Sequence, residues 1–177
     1  MTSTMVVTPF RAAPGRACRP CTLCCKVYAL PEFEKPPGAW CKHSSPGKGC
    51  KMHDEPPNQC RQFYCLWMTD GALPEAWRPD HAKFVLSIFP PNGFVYGQVD
   101  PGSPGAWRRE PYYAGLKSHA RKLVRERRHV IMFVSDHPAG SRSGEERVSG
   151  ARRRREGRGR VGSEDPARGA FAVRCEA

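Results

Sequence analysis

Cys18-Arg19-Pro20-Cys21-Thr22-Leu23-Cys24-Cys25 decides how the first half of this 177-residue chain can fold. The run is followed by Cys41, Cys50, Cys60 and Cys65, so eight of the nine cysteines fall within residues 18–65. Two residues between thiols let a tight turn aim both sulfurs at one ion, and thiolates prefer soft or borderline metals such as Zn²⁺ and iron. Eight thiols fill two four-thiolate sites, or one cluster and one mononuclear ion. Cys24 and Cys25 are adjacent and point in different directions, so each can serve a different one of two neighbouring centres. Spacing leaves open which cysteine joins which centre.

The residues around the cysteines call for such a staple. Within residues 18–70 the aliphatic side chains are Leu23, Val27, Leu30 and Leu66, with Tyr28, Phe33, Trp40, Phe63, Tyr64 and Trp67 as aromatics. That is thin for an independent unit of this size, which needs a metal or disulfides beside its hydrophobic core. Pro31, Pro36-Pro37, Pro46 and Pro56-Pro57 cut the segment into turns and short pieces. Two short helices are expected, over residues 21–28 and 57–67; in the second, Cys60, Tyr64 and Trp67 recur at helical spacing. Residues 1–15 lack a basic stretch followed by an apolar run, so no secretory signal is read there and the expected location is cytoplasmic. Thiols stay reduced in the cytosol, which favours ligands over a disulfide scaffold or a set of buried apolar thiols. His43 and His53 are candidate replacements for a thiolate, although eight cysteines already satisfy two sites. Cys175 stands alone and reads as incidental.

Zinc and iron compete for the site. Cys18, Cys21 and Cys24 match the Cys-x2-Cys-x2-Cys run that holds three corners of an iron–sulfur cluster, but Cys25 follows at once where the ferredoxin pattern continues x3-Cys-Pro. Charge does not separate the two metals. Residues 1–70 hold nine Lys and Arg against five Asp and Glu. A Zn²⁺ or a [4Fe–4S]²⁺ cluster with four thiolates carries about −2 in either case, so two centres cancel that surplus. Lys26, Lys42, Lys48 and Lys51 are expected near the anionic centres, where their N–H groups tune thiolate basicity.

The remainder reads differently. Residues 1–17 are expected to form a flexible N-terminus. Residues 71–136 contain no Cys: a β-rich run over 82–89, a turn at Pro90-Pro91-Asn92-Gly93, an alternating run over 94–99, a helix over 109–128 and a strand over 129–134. The helix has Pro111 in its first turn and an apolar stripe of Tyr113, Leu116, Ala120, Leu123 and Val124. Residues 137–177 are rich in Arg, Gly, Ser and Glu and read as a disordered tail. The fold class is therefore α+β: a small Cys-rich metal-binding module with short helices over 18–70, a β-β-α-β unit over 71–136, and the tail. No 18-residue apolar run exists, so no membrane-spanning helix is available, and no membrane partner is expected.

The eight positions Cys18, Cys21, Cys24, Cys25, Cys41, Cys50, Cys60 and Cys65 resemble the YkgJ-type cysteine-cluster family of bacteria, whose hallmark is Cys-x2-Cys-x2-Cys-Cys followed by four more Cys. Trp40-Cys41-Lys42-His43, Gly47-Lys48-Gly49-Cys50 and Pro57-x2-Cys60-Arg61-x3-Cys65 add to the likeness, which covers residues 18–67. The resemblance implies a zinc- or iron-chelating domain with these eight cysteines as ligands. A related cluster occurs in a flagellin lysine methylase family, which suggests an iron–sulfur redox protein or modifying enzyme as the alternative. No Gly-rich nucleotide loop supports the enzyme, and no catalytic residue is assigned. The net charge of +12, the pI of about 9.6 and the basic residues Lys117, Arg121, Lys122, Arg125 and Arg128 raise nucleic-acid binding as a third possibility. A solvated helix face explains them better.

Overall fold

The computed structural model describes residues 11–134 and the backbone of a strand at Ala170–Val173. The architecture is α+β. Its cysteine-rich part contains three one-turn helices, α1 (Cys24–Val27), α2 (Asn58–Arg61) and α3 (Leu66–Thr69), and a minimal ribbon of β1 (Ser44–Ser45) and β2 (Gly49–Cys50). A further one-turn helix, α4 (Pro79–Ala82), leads into β3 (Phe84–Phe89), β4 (Phe94–Val99), α5 (Tyr112–Val124), β5 (Val130–Phe133) and β6 (Ala170–Val173). The sheet order is β3-β4-β5-β6.

The hairpin forms where the alternating pattern places it. Phe84 pairs with Val99 and Phe89 with Phe94. The turn closes through Gly93 N–H donating to Phe89 O at 2.8 Å, with Gly93 at φ +67°, and Asn92 Oδ1 accepting from Phe94 N–H at 2.9 Å. β4 and β5 run parallel, which requires the crossover that α5 supplies. The β-β-α-β order is thus present. Leu116, Ala120 and Leu123 turn from α5 onto Phe84, Leu86, Val95, Val99, Val130 and Met132. Gly97 lies opposite Met132, and a Cβ there would collide with the Met132 sulfur. Within α5, Gly115 lets the Trp77 indole approach, and Trp77 sits edge-on to both Phe84 and Tyr112.

Several expectations need correction. Val124 is 38% exposed and lies off the buried stripe of α5. The helix expected over 57–67 is two single turns, because Cys65 adopts an extended conformation (φ −75°, ψ 155°) between them. On one continuous helix Cys60 and Cys65 would stand about 140° apart; the break lets both face the same space. The N-terminal segment is held where the structure describes it. Ala13 N–H donates to Met68 O at 2.7 Å, and the Arg16 guanidinium lies 4.5 Å over the Trp67 ring while donating to the carbonyls of Trp67, Gly71 and Leu73. Residues 1–10 lie outside the described part. Of the tail expected to be disordered, Ala170–Val173 pairs antiparallel with β5 and completes the sheet; residues 137–169 and 174–177, with Cys175 and the Arg152–155 block, lie outside the described part.

The cysteine-rich part is not a separate body. Val85, on the sheet face opposite α5, is fully buried in one cluster with Leu23, Val27, Cys65 and Trp67. Tyr28 OH and Ser87 Oγ are 3.3 Å apart, and Lys26 Nζ reaches Asp100 Oδ1 at 2.6 Å. The thin apolar content of residues 18–70 is thus supplemented by side chains borrowed from the sheet.

Candidate metal centre

Short pieces of backbone bring the eight cysteines together. α1 starts at the end of the Cys-x2-Cys-x2-Cys-Cys run, with Cys25 N–H donating to Thr22 O at 3.0 Å and Val27 N–H to Leu23 O at 3.1 Å. Cys41 N–H donates to Cys25 O at 3.0 Å, and the β1–β2 ribbon sets Cys50 opposite Ser44. α2 carries Cys60 and is tied to the chain after α1 by Gln59 Nε2 donating to Ala29 O at 3.0 Å. Cys65 opens α3.

The result is one chamber of about 740 Å³ whose wall contains Cys18, Cys21, Cys24, Cys25, Cys41, Cys50, Cys60 and Cys65. Its remaining wall is largely apolar, with Tyr28, Phe63, Trp67, Met68 and Val85 among the contributors. None of the eight is in a disulfide, and Cys41 and Cys65 are buried. Among the described residues no group of three or more Cys, His, Asp or Glu side chains is already gathered around a point that an ion would occupy. The donor set matches a thiophilic metal in chemistry and in number, while the thiols stand around a space instead of closing on it.

The electrostatics divide the thiols. Cys24 hydrogen-bonds with Cys18 and Cys25, which holds its own thiol well above the ordinary range. The same contact from Cys24 lowers Cys18, and lowers Cys25 to about 7. Ser44, whose buried Oγ has no hydrogen-bond partner among the described residues, lies close enough to add to the lowering of Cys25. Burial pushes Cys21 up to about 12 and Cys60 up to about 11, and raises Cys50 and Cys65 as well. Thiols kept protonated by an apolar wall ionise when a cation replaces the proton.

The lysine that faces this set is Lys35, which the spacing of the basic residues did not single out. It is 7% exposed, and burial lowers its pKa while the nearby thiols of Cys41, Cys25, Cys24 and Cys60 act in the opposite direction. Its three N–H groups go to the carbonyls of Lys26 (3.1 Å), Pro36 (3.0 Å) and Tyr28. The ammonium therefore acts on the thiols through its field, having no donor left for them. The lysines that had been expected there do other things: Lys26 pairs with Asp100, Lys42 lies 5.2 Å from the Phe33 ring centre, and Lys48 and Lys51 are exposed. His43 and His53 both reach the chamber wall. The His43 ring packs 4.9 Å from that of Phe33, and the half-exposed His53 lies 4.0 Å from Asp54.

Comparison with family models, with curated proteins and with solved structures gave no match. Among the described residues no helix is long and apolar enough to cross a membrane.

Proposed function

We propose that this chain is a zinc- or iron-binding protein of the cysteine-cluster type, with the eight thiols as ligands and the ions structural or handled as cargo. The observation that carries the reading is that eight cysteines spread over residues 18–65 return to the wall of one chamber. Free thiols on an apolar wall, two of them made more acidic, form a soft ligand set. The likeness of the motif to YkgJ-type domains agrees with it, and the reading places the protein in a reducing, cytoplasmic location, where thiols stay unpaired. Zn²⁺ or iron bound by four thiolates has no open position, so the reading is of a non-enzyme. Of the basic residues that raised nucleic-acid binding, Lys117 lies 5.3 Å from the Tyr113 ring centre and Arg128, beyond the end of α5, pairs with Glu126, while Arg121, Lys122 and Arg125 are exposed.

A second reading, an iron–sulfur redox protein or modifying enzyme, is favoured by the size of the chamber, since about 740 Å³ far exceeds what bare ions fill. Purification without air followed by metal analysis tests both readings. Protein-bound zinc at about two equivalents in a colourless sample is expected for the first. A brown sample absorbing near 400 nm, with iron and sulfide, selects the second. A reduced sample that binds neither metal and is equally well folded after chelation defeats both.

A further inference from the structure

We propose that the sheet face turned away from α5 binds single-stranded nucleic acid, with bases stacking on the rings of Phe89, Tyr96 and Phe133 and phosphates meeting the arginines between α5 and β5. The inference goes beyond the metal reading above and does not depend on it.

Strand register builds the platform. Side chains alternate along a strand, so with Phe84, Leu86, Val95, Val130 and Met132 packed towards α5, Phe89, Phe94, Tyr96 and Phe133 take the other face. The ring centres of Phe89 and Tyr96 are 5.5 Å apart, and those of Tyr96 and Phe133 are again 5.5 Å apart. The three form one row across β3, β4 and β5. Beside it the His129 ring stands edge-on to Phe94 at 4.9 Å. The cysteine-rich part meets this face at Val85 and Ser87. Away from that contact Phe89 is 44% exposed, and Tyr96 and Phe133 are half-buried. Single exposed apolar side chains are ordinary, but a contiguous row of rings marks a surface that binds something.

Charge selects the occupant. β3, β4 and β5 contain no Asp, Glu, Lys or Arg, so the row itself is neutral. Basic side chains gather just before β5 begins, where residues 121–128 hold five Lys and Arg against the single acid Glu126. Arg121, Lys122, Arg125 and Arg127 are exposed, and Arg128 lies against Gly93 in the β3–β4 turn, next to the Phe89–Phe94 pair. A neutral row of rings with cations at its end suits a single strand: every base has a face to stack, and the cations hold the backbone. A duplex keeps its bases stacked on one another and leaves the rings without partners. A second copy of this chain brings the same net charge of +12 to the face and is opposed by it.

The test uses the full chain and labelled oligomers of about 12 nucleotides, within the span of one such surface. RNA and DNA single strands form separate arms, a duplex of the same sequence is the control, and fluorescence anisotropy is read across a salt series. A single strand of at least one sugar type is expected to bind more tightly than the duplex, with log affinity falling by about 0.7 per phosphate held for each unit of log salt. Phe89→Leu with Tyr96→Leu keeps apolar bulk and removes two rings. It is expected to weaken binding at least about fivefold, the lower end of what one base–aromatic stack contributes. Phe89→Leu alone, at the exposed end of the row, gives the same direction of change should the double variant fail to fold by circular dichroism. Arg125→Gln with Arg127→Gln is expected to flatten the salt slope. The Arg152–155 block is present in every sample, so its contribution cancels in each comparison. Ring variants that bind single strands as the unaltered chain does, a duplex bound equally well, or no binding in either arm overturns the proposal. Dimers in sedimentation that the ring variants abolish also overturn it, and assign the face to a second copy.

Discussion

The two faces of the central sheet are closed in opposite ways. On one, Phe84, Val95, Val130 and Met132 meet Leu116 and Ala120 of α5, and each of these side chains is at most 2% exposed. On the other, Val85 is buried just as completely, but the elements that cover it surround a chamber of about 740 Å³ with eight thiols on its wall. Protein interiors are normally close-packed, with few voids larger than a water molecule. The difference is that the α5 face is closed by apolar side chains alone, whereas the elements over the cysteine face leave a thiol-lined space between them. Both faces hang on the same strand, with Phe84 and Leu86 serving one and Val85 the other, so each half can be perturbed separately.

The largest effect is expected from the thiols. Cys21→Ser, Cys24→Ser or Cys60→Ser should lose metal and loosen residues 18–70, while Cys175→Ser does neither. Structural zinc contributes roughly 10–16 kcal/mol to folding in small zinc-bound peptides, more than any single packing contact. Hydrogen exchange reads the contrast directly. Amides of α1, β1, β2 and α2 should lose protection on chelation while those of β3, β4 and α5 keep theirs. Equal loss on both faces would break the comparison, and would mean that Val85 and Trp77 couple the halves into one cooperative unit.

Packing changes on the α5 face should be smaller and indifferent to metal. Leu116→Ala removes a side chain that is 1% exposed, with an expected loss of about 2–5 kcal/mol. Gly97→Ala drives a Cβ into the Met132 sulfur and to 3.0 Å from Leu86 Cδ2, an overpacking worth about 1–3 kcal/mol. Denaturant unfolding of loaded and stripped protein should give the same loss for each variant. A fall in metal content in either variant would contradict the separation of the faces.

The same division governs what could be read from the sequence. The hairpin, α5 and β5 were legible because their apolar residues recur with periods of two and of about 3.6, and the Pro90–Gly93 turn left little choice of register. The eight candidate ligands were legible as chemistry, since thiols so closely spaced have few other uses. The break between α2 and α3 was not: local pattern favours a continuous helix, and only the need for Cys60 and Cys65 to share a wall argues against it. Lys35 was hidden among Glu34, Pro36 and Pro37, in a context that reads as solvent. Glu34 takes a left-handed conformation (φ 52°), and the Leu30–Lys35 pairing turns the lysine inward. Arg16 was missed because its partners are backbone carbonyls more than fifty positions away. β6 lies in a stretch whose composition predicts no structure, and pairing with β5 overrides it.

The last expected effect concerns acidity, and for Cys21 and Cys60 it sharpens the contrast by changing sign with metal. In the metal-free protein Cys21 and Cys60 are raised by burial to about 12 and about 11 from an ordinary value of 9.0. A raised thiol favours the folded state while protonated, so this contribution is whole below pH 9 and is lost as pH climbs through 11 and 12. Cys25 is lowered to about 7 by its contact with Cys24, so its contribution is present above pH 9 and is lost as pH falls towards 7. Stripped protein should therefore gain stability from these groups between about pH 7 and 9 and lose it above 9, as read by melting temperature at fixed salt. Cys25→Ser should flatten the lower limb and leave the upper one. In loaded protein the ion has already displaced the protons, so the upper limb should vanish and acid alone should destabilise by returning protons to the thiolates. An upper limb that survives full loading would mean that Cys21 and Cys60 are not ligands.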